Sequence, residues 1–81
     1  MKHDLKMVRA LPDFRLEVEL MDGSQGVFDL KPHLDHPGLA ALRDPSYFEK
    51  VTILAGSATW PNGEDIAPET IAVELASAVL P

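Results

Sequence analysis

The stretch that decides the fold is Phe14–Leu30, FRLEVELMDGSQGVFDL. Phe14, Leu16, Val18 and Leu20 alternate with Arg15, Glu17 and Glu19, the period-two pattern of a strand with one buried and one solvated face. After Asp22-Gly23 comes a second run in which Gly26, Phe28 and Leu30 share a face. Parity chooses the turn between them. A two-residue Asp22-Gly23 loop would set Leu16 against Asp29 and Val18 against Val27, sending Phe28 and Leu30 to solvent. A three-residue loop, Met21-Asp22-Gly23, sets Leu20 against Ser24, Val18 against Gly26, Leu16 against Phe28 and Phe14 against Leu30. It also puts Gly23 where a bulged type I turn needs positive φ. Register follows the buried face, so the three-residue loop is expected.

Toward the N-terminus, Leu5–Leu11 reads as a strand with Leu5, Met7 and Leu11 on one side and Val8 and Ala10 on the other. Pro12-Asp13 turns it. Toward the C-terminus, Lys31–Pro37 is a connection with room for one helical turn. Gly38–Arg43 is a short helix with Leu39 and Leu42 on one face, and Pro45 opens a short helical segment carrying Tyr47 and Phe48. Val51–Leu54 and Ala58–Trp60 read as two short strands, the first followed by a turn at Gly56 and the second ended by Pro61-Asn62-Gly63. Pro68 starts the last helix, with Glu69 at its positive end. Ile71, Ala72, Leu75, Ala76 and Val79 form an apolar stripe, opposite Thr70, Glu74 and Ser77. The sheet face of Phe14, Leu16, Val18, Phe28 and Leu30 is the cover for that stripe. The expected fold is one α+β domain over residues 1–81. It is a small antiparallel meander of three strands plus two short strands, with a short middle helix and a C-terminal helix packed on the sheet. One helix covers one face of such a sheet, and the edge or apolar patch left over would suit a symmetric homodimer.

Charge narrows the function. Seven Lys+Arg stand against thirteen Asp+Glu in 81 residues, a formal net charge of -6. Nucleic-acid binding depends on cations that displace counterions from phosphates, so no nucleic-acid role is expected for the chain alone. A local basic footprint at Lys2, Lys6, Arg9 and Arg15 with His3 is the alternative, interrupted by Asp4 and Asp13. From Val51 to Pro81 there is no Lys or Arg; such a surface attracts a basic protein or simply stays solvated. With no cysteine, disulfides, thiolate metal sites and thiol nucleophiles are excluded. No apolar run approaches the ~20 residues of a membrane span, and no secretory signal is visible. A cytoplasmic protein without membrane contact is expected.

Few residues suggest chemistry. His33 and His36, with Asp35 between them, have the ligand types of a divalent metal site. They converge only in a helical turn that Pro32 and Pro37 keep short, and no fourth ligand is identifiable. Solvated loop histidines are the other reading, and neither metal nor cofactor is expected. Asp22, Asp29, Glu64 and Asp65 would make a catalytic pair only within a shared pocket. Asp22 is explained as a turn residue and Asp65, just before the last helix, as a carboxylate tied to backbone amides. Asp29 either faces water or anchors the loop after it. The serines lack nucleophile-elbow surroundings, and no Gly-rich phosphate loop is present. Gly23 and Gly26 are both explained by the hairpin. Trp60 is either a core plug or an exposed interface anchor.

The runs Leu16–Leu30, Phe48-Glu49-Lys50-Val51 and Thr59–Ile71 (TWPNGEDIAPETI) together resemble the short bacterial proteins of domain-of-unknown-function family 2442. The Trp60–Pro68 segment is the specific part, and the resemblance extends from about Lys6 to Leu80. It implies a small α+β protein with an antiparallel sheet and no assigned catalytic residues. Because many members are encoded beside a second small protein, it also implies an antitoxin-like partner role. Some members carry a helix-turn-helix module, which this chain is expected to lack. Ile71 is followed by Ala72 where the family often has an aromatic residue. The resulting expectation is a non-enzymatic interaction module with an acidic surface, with Trp60, Asn62, Asp65 and Asp29 as its interaction candidates. A nucleic-acid-associated regulator and a small-molecule enzyme are the alternatives.

Overall fold

Alternating and turn-rich stretches become strands in a computed structural model that describes residues 4–78. β1 (Leu5–Leu11), β2 (Arg15–Leu20) and β3 (Gln25–Asp29) form one antiparallel sheet in that order. Two 3-10 segments, Lys31–His33 and Pro37–Arg43, lead to α1 (Pro45–Phe48). β4 (Thr52–Leu54), β5 (Ser57–Thr59) and β6 (Asp65–Ile66) form a second antiparallel sheet, and α2 (Pro68–Ala78) follows. β6 is an element the sequence reading did not contain.

The register of the first hairpin is the one parity requires. Leu16 faces Phe28 and Val18 faces Gly26. The Leu20 N–H donates to the Ser24 carbonyl at 2.8 Å, the Gly23 N–H to the Leu20 carbonyl at 2.9 Å, and Gly23 has φ 93°. β1 departs from its expected alternation. Leu5 faces Leu20 but Met7 faces Glu19, so Lys6 is an extra residue and the strand is bulged there. A bulge inverts every later position: Leu5 and Met7 do not share a side. Leu5 is buried, Val8 and Ala10 face the core, and Met7 is turned outward.

Prolines and short polar side chains set the middle of the chain. Pro37 starts its 3-10 segment, and the His36 ring accepts the Gly38 N–H through Nδ1 at 3.3 Å. With three residues per turn, Leu39 and Leu42 eclipse on one side; Leu42 is buried and Leu39 packs beside it. Asp44 caps α1 by accepting the Ser46 N–H at 3.0 Å, and Pro45 follows at the first helical position.

The core joins Leu16, Val18, Leu20 and Phe28 of the first sheet to Trp60 and Ile66 near the second, and to Ile71 and Leu75 of α2. Each such side chain contributes about 1.5–3 kcal/mol on burial. Gly26 is where α2 comes closest to the sheet. A Cβ at that position would lie 2.7 Å from Leu75 Cδ2, so the helix, not the hairpin, accounts for this glycine. The side chains of Ala76 and Ser77, and residue Val79, lie outside the described part. Among the described residues no helix is long and apolar enough to cross a membrane.

Candidate functional site

The Trp60–Pro68 segment is built on a second tight hairpin. The Trp60 N–H donates to the Glu64 carbonyl and the Gly63 N–H to the Trp60 carbonyl, both at 2.9 Å, and Gly63 has φ 101°. The turn Pro61-Asn62-Gly63 thereby sets Thr59 against Asp65 and Ala58 against Ile66. Trp60 is 2% exposed. Its Nε1 donates to the Phe48 carbonyl at 2.9 Å and its ring lies 6.1 Å from that of Phe48. Of its two expected roles it takes the core plug, and a residue so enclosed has no ring surface to offer a partner. Asn62 and Asp65 are exposed. Asp65 lies in extended backbone three residues before Pro68, too early to cap α2, and its carboxylate makes no hydrogen bond among the described residues. The expected tie to backbone amides is therefore absent.

Behind this turn stands Tyr47. Its hydroxyl donates to Glu64 Oε1 at 2.6 Å and accepts the Asn62 N–H at 2.7 Å. Desolvation, and then the hydrogen bond that the hydroxyl donates to the Glu64 carboxylate, hold the phenol above its ordinary pKa. Sequence reasoning missed this link because the partners lie 15 and 17 residues apart in unrelated elements.

The two histidines do not converge. His33 Nε2 meets Glu74 Oε2 of α2 at 2.7 Å, and its ring stacks on Phe28 with centroids 5.4 Å apart. It is an inter-element contact, not a solvated loop residue. The sequence hides it because His33 and Glu74 are 41 positions apart. His36 is occupied as a cap, and lines a shallow depression of about 250 Å3 with Gly38, Leu39 and Asp65. No group of three or more His, Asp or Glu among the described residues is placed to hold a metal ion. Asp29 takes the loop-anchor role: Oδ1 accepts the Lys31 N–H at 3.0 Å and lies 3.3 Å from Lys31 Nζ. The Lys31 backbone N–H, against some opposing desolvation, holds this carboxyl below its ordinary value, with help from the Lys31 and Arg15 charges.

The N-terminal cations stand opposite glutamates. Lys6 lies 3.8 Å from Glu19, and Arg9 pairs with Glu17 across β1 and β2. Arg43 lies 3.4 Å from Asp35, and Arg15 donates through Nε to the Pro12 carbonyl at 3.2 Å. Lys2 and His3, counted in the same footprint, lie outside the described residues.

A groove of about 610 Å3 runs between the β1–β2 turn and α1, lined by Arg9, Pro12, Asp13, Phe14, Pro45, Phe48 and Glu49 among others. Its floor is the half-buried ring of Phe14, backed from the core by the enclosed Phe48 ring edge-to-face, centroids 5.4 Å apart at 71°. Its wall is strained, because Asp13 and Phe14 hold φ 66° and 59°, a left-handed backbone costing on the order of 1 kcal/mol or more at each non-glycine residue. Neighbours lock it. Lys31 Nζ donates to the Asp13 carbonyl at 3.2 Å, and the Leu30 N–H to the Phe14 carbonyl at 2.9 Å. The Asp13 and Glu49 carboxylates flank the groove without an ion-pair partner among the described residues. Such a groove can bind: the half-buried Phe14 ring and the proline surface take an apolar side chain, and the carboxylates take cations. In the sequence Pro12-Asp13 reads simply as a turn and Phe14 as a residue of the sheet face over the last helix; instead Phe14 lies in the turn before β2, with its ring against Phe48 of α1.

No curated protein and no solved structure matches the chain. A family model does, the one described as Protein of unknown function (DUF2442), over residues 5–75, and the chain belongs to that family.

Proposed function

We propose that the chain is a non-enzymatic interaction module, the acidic partner of a small basic protein, which it receives in the groove between the β1–β2 turn and α1. One observation carries the reading. Asp13 and Glu49 flank the Phe14 floor without internal ion pairs, whereas Lys6, Arg9, Lys31 and Arg43 are each matched by a carboxylate of the same chain, and of the described cations Arg15 and Lys50 alone lack such a match. The charge left over for a partner is therefore mostly negative, and at Asp13 and Glu49 it sits beside apolar surface. Complementary charge of this kind speeds encounter and rejects wrong partners, while the buried apolar anchor supplies affinity. A phosphate backbone would need several free cations together, and in the N-terminal footprint Lys6 and Arg9 face Glu19 and Glu17, leaving Arg15 without an ion pair among its described members, so the nucleic-acid alternative gains little support.

The test is co-expression with the product of the neighbouring gene. Co-purification is expected, and it should be lost in the Asp13→Asn/Glu49→Lys double variant at an unchanged melting temperature. Asparagine is chosen because it tolerates the left-handed backbone at position 13. The antitoxin-like form of the proposal adds that co-expression relieves growth arrest caused by the partner alone. Absence of a complex, or a complex indifferent to both substitutions, contradicts the reading.

A further inference from the structure

The two edges of the first sheet are treated differently. β1 carries the bulge at Lys6, and its Leu5 N–H is taken by the Gly56 carbonyl at 2.9 Å. β3, Gln25-Gly26-Val27-Phe28-Asp29, has no lysine, no proline and no register shift against β2, the devices by which natural sheets blunt an edge. Its hydrogen bonds can be assigned from its ends. Ser24 bonds to Leu20 and Leu30 to Phe14. In an antiparallel ladder the bonded pairs alternate, so Gly26 and Phe28 also direct their amides and carbonyls at β2. Gln25, Val27 and Asp29 direct theirs away from it. No backbone partner for these three residues occurs on that side among the described residues.

We infer that a second copy of the chain covers this edge, the two β3 strands pairing antiparallel about a two-fold axis at Val27. The segment is complementary to itself in that register. Val27 meets Val27 of the other copy, and Gln25 meets Asp29 twice across the axis. All three outward residues then exchange N–H···O bonds with the other copy. Their side chains fall on the face opposite the core, where Val27 is 45% exposed. The Gln25 amide can donate to Asp29, whose carboxylate keeps acceptor capacity beyond its Lys31 bonds. No like charges oppose one another along the strand. The pairing would make one continuous six-stranded sheet.

Sedimentation of the full chain over a range of concentrations tests this. A monomer–dimer equilibrium is expected. Gln25→Glu puts like charges opposite Asp29 at both symmetric positions and should weaken dimerisation by roughly three- to tenfold. Gln25→Lys should tighten it by a similar factor, in a way that salt removes. Val27→Pro deletes an N–H that β2 does not use, so it should leave a folded monomer; if that variant fails to fold, the Gln25 pair decides. A chain that stays monomeric at every concentration, or a dimer indifferent to both Gln25 variants, overturns the inference. The first of these results would leave the edge to a strand of another protein.

Discussion

The turns Met21-Asp22-Gly23 and Pro61-Asn62-Gly63 close their hairpins with the same two hydrogen bonds, each with a glycine at φ near 100°. Their surroundings differ. The first is tied locally, by Asp22 Oδ1 accepting the Ser24 N–H at 2.9 Å, and joins strands of six and five residues. The second joins strands of three and two residues, too short to hold a register by side-chain pairing alone. It is held from outside, by the buried Trp60 bonded to Phe48 and by the Tyr47 hydroxyl lodged between Asn62 and Glu64. A turn can thus be fixed by its strands or by its neighbours, and the second kind frees its own side chains for other contacts.

Substitutions can break this comparison in order of size. Trp60→Ala should cost about 3–5 kcal/mol in chemical denaturation, and Leu20→Ala, which precedes the first turn, should fall nearer the lower end of the roughly 2–5 kcal/mol range for leucine. Equal costs would remove the claim that the second hairpin depends on its plug. Tyr47→Phe strips the Asn62 N–H of its acceptor and Glu64 of its donor. The melting temperature should fall by less than for Trp60→Ala, with hydrogen exchange accelerating at Asn62–Glu64 and not at Asp22–Ser24. Gly23→Ala and Gly63→Ala meet no neighbouring atom within 4 Å, so each pays only for a left-handed alanine, about 1 kcal/mol. Unequal values would mean the two backbones are not equivalent. Asp22→Ala should cost about 0.5–1.5 kcal/mol for its lost bond. Asn62→Ala should leave stability unchanged, because no side-chain hydrogen bond of Asn62 occurs among the described residues.

The same contrast explains what could be read from residues alone. The register of β2 and β3 was legible because parity over eleven strand residues leaves one turn length that buries Phe28 and Leu30 together. β6 was not, because two residues carry no alternation, and Pro61-Asn62-Gly63 was read as the end of a strand when it is a turn between two. The bulge at Lys6 adds no compositional mark, yet it turns Met7 outward. Gly26 was assigned to the hairpin because its reason, Leu75, is 49 residues away in another element. For the candidate site, Asp29 as a loop anchor was one of two readings available in advance. The Phe14 floor, backed by Phe48, and its flanking carboxylates were not, since they arise from the docking of α1 against the β1–β2 turn.

Amide chemical-shift mapping of the labelled chain, titrated with the product of the neighbouring gene, asks most directly where a partner sits. The account predicts that the largest changes cluster at Asp13, Phe14 and Ser46–Glu49 and fade with rising salt. Changes confined to other surfaces, or none at saturating partner, would contradict it.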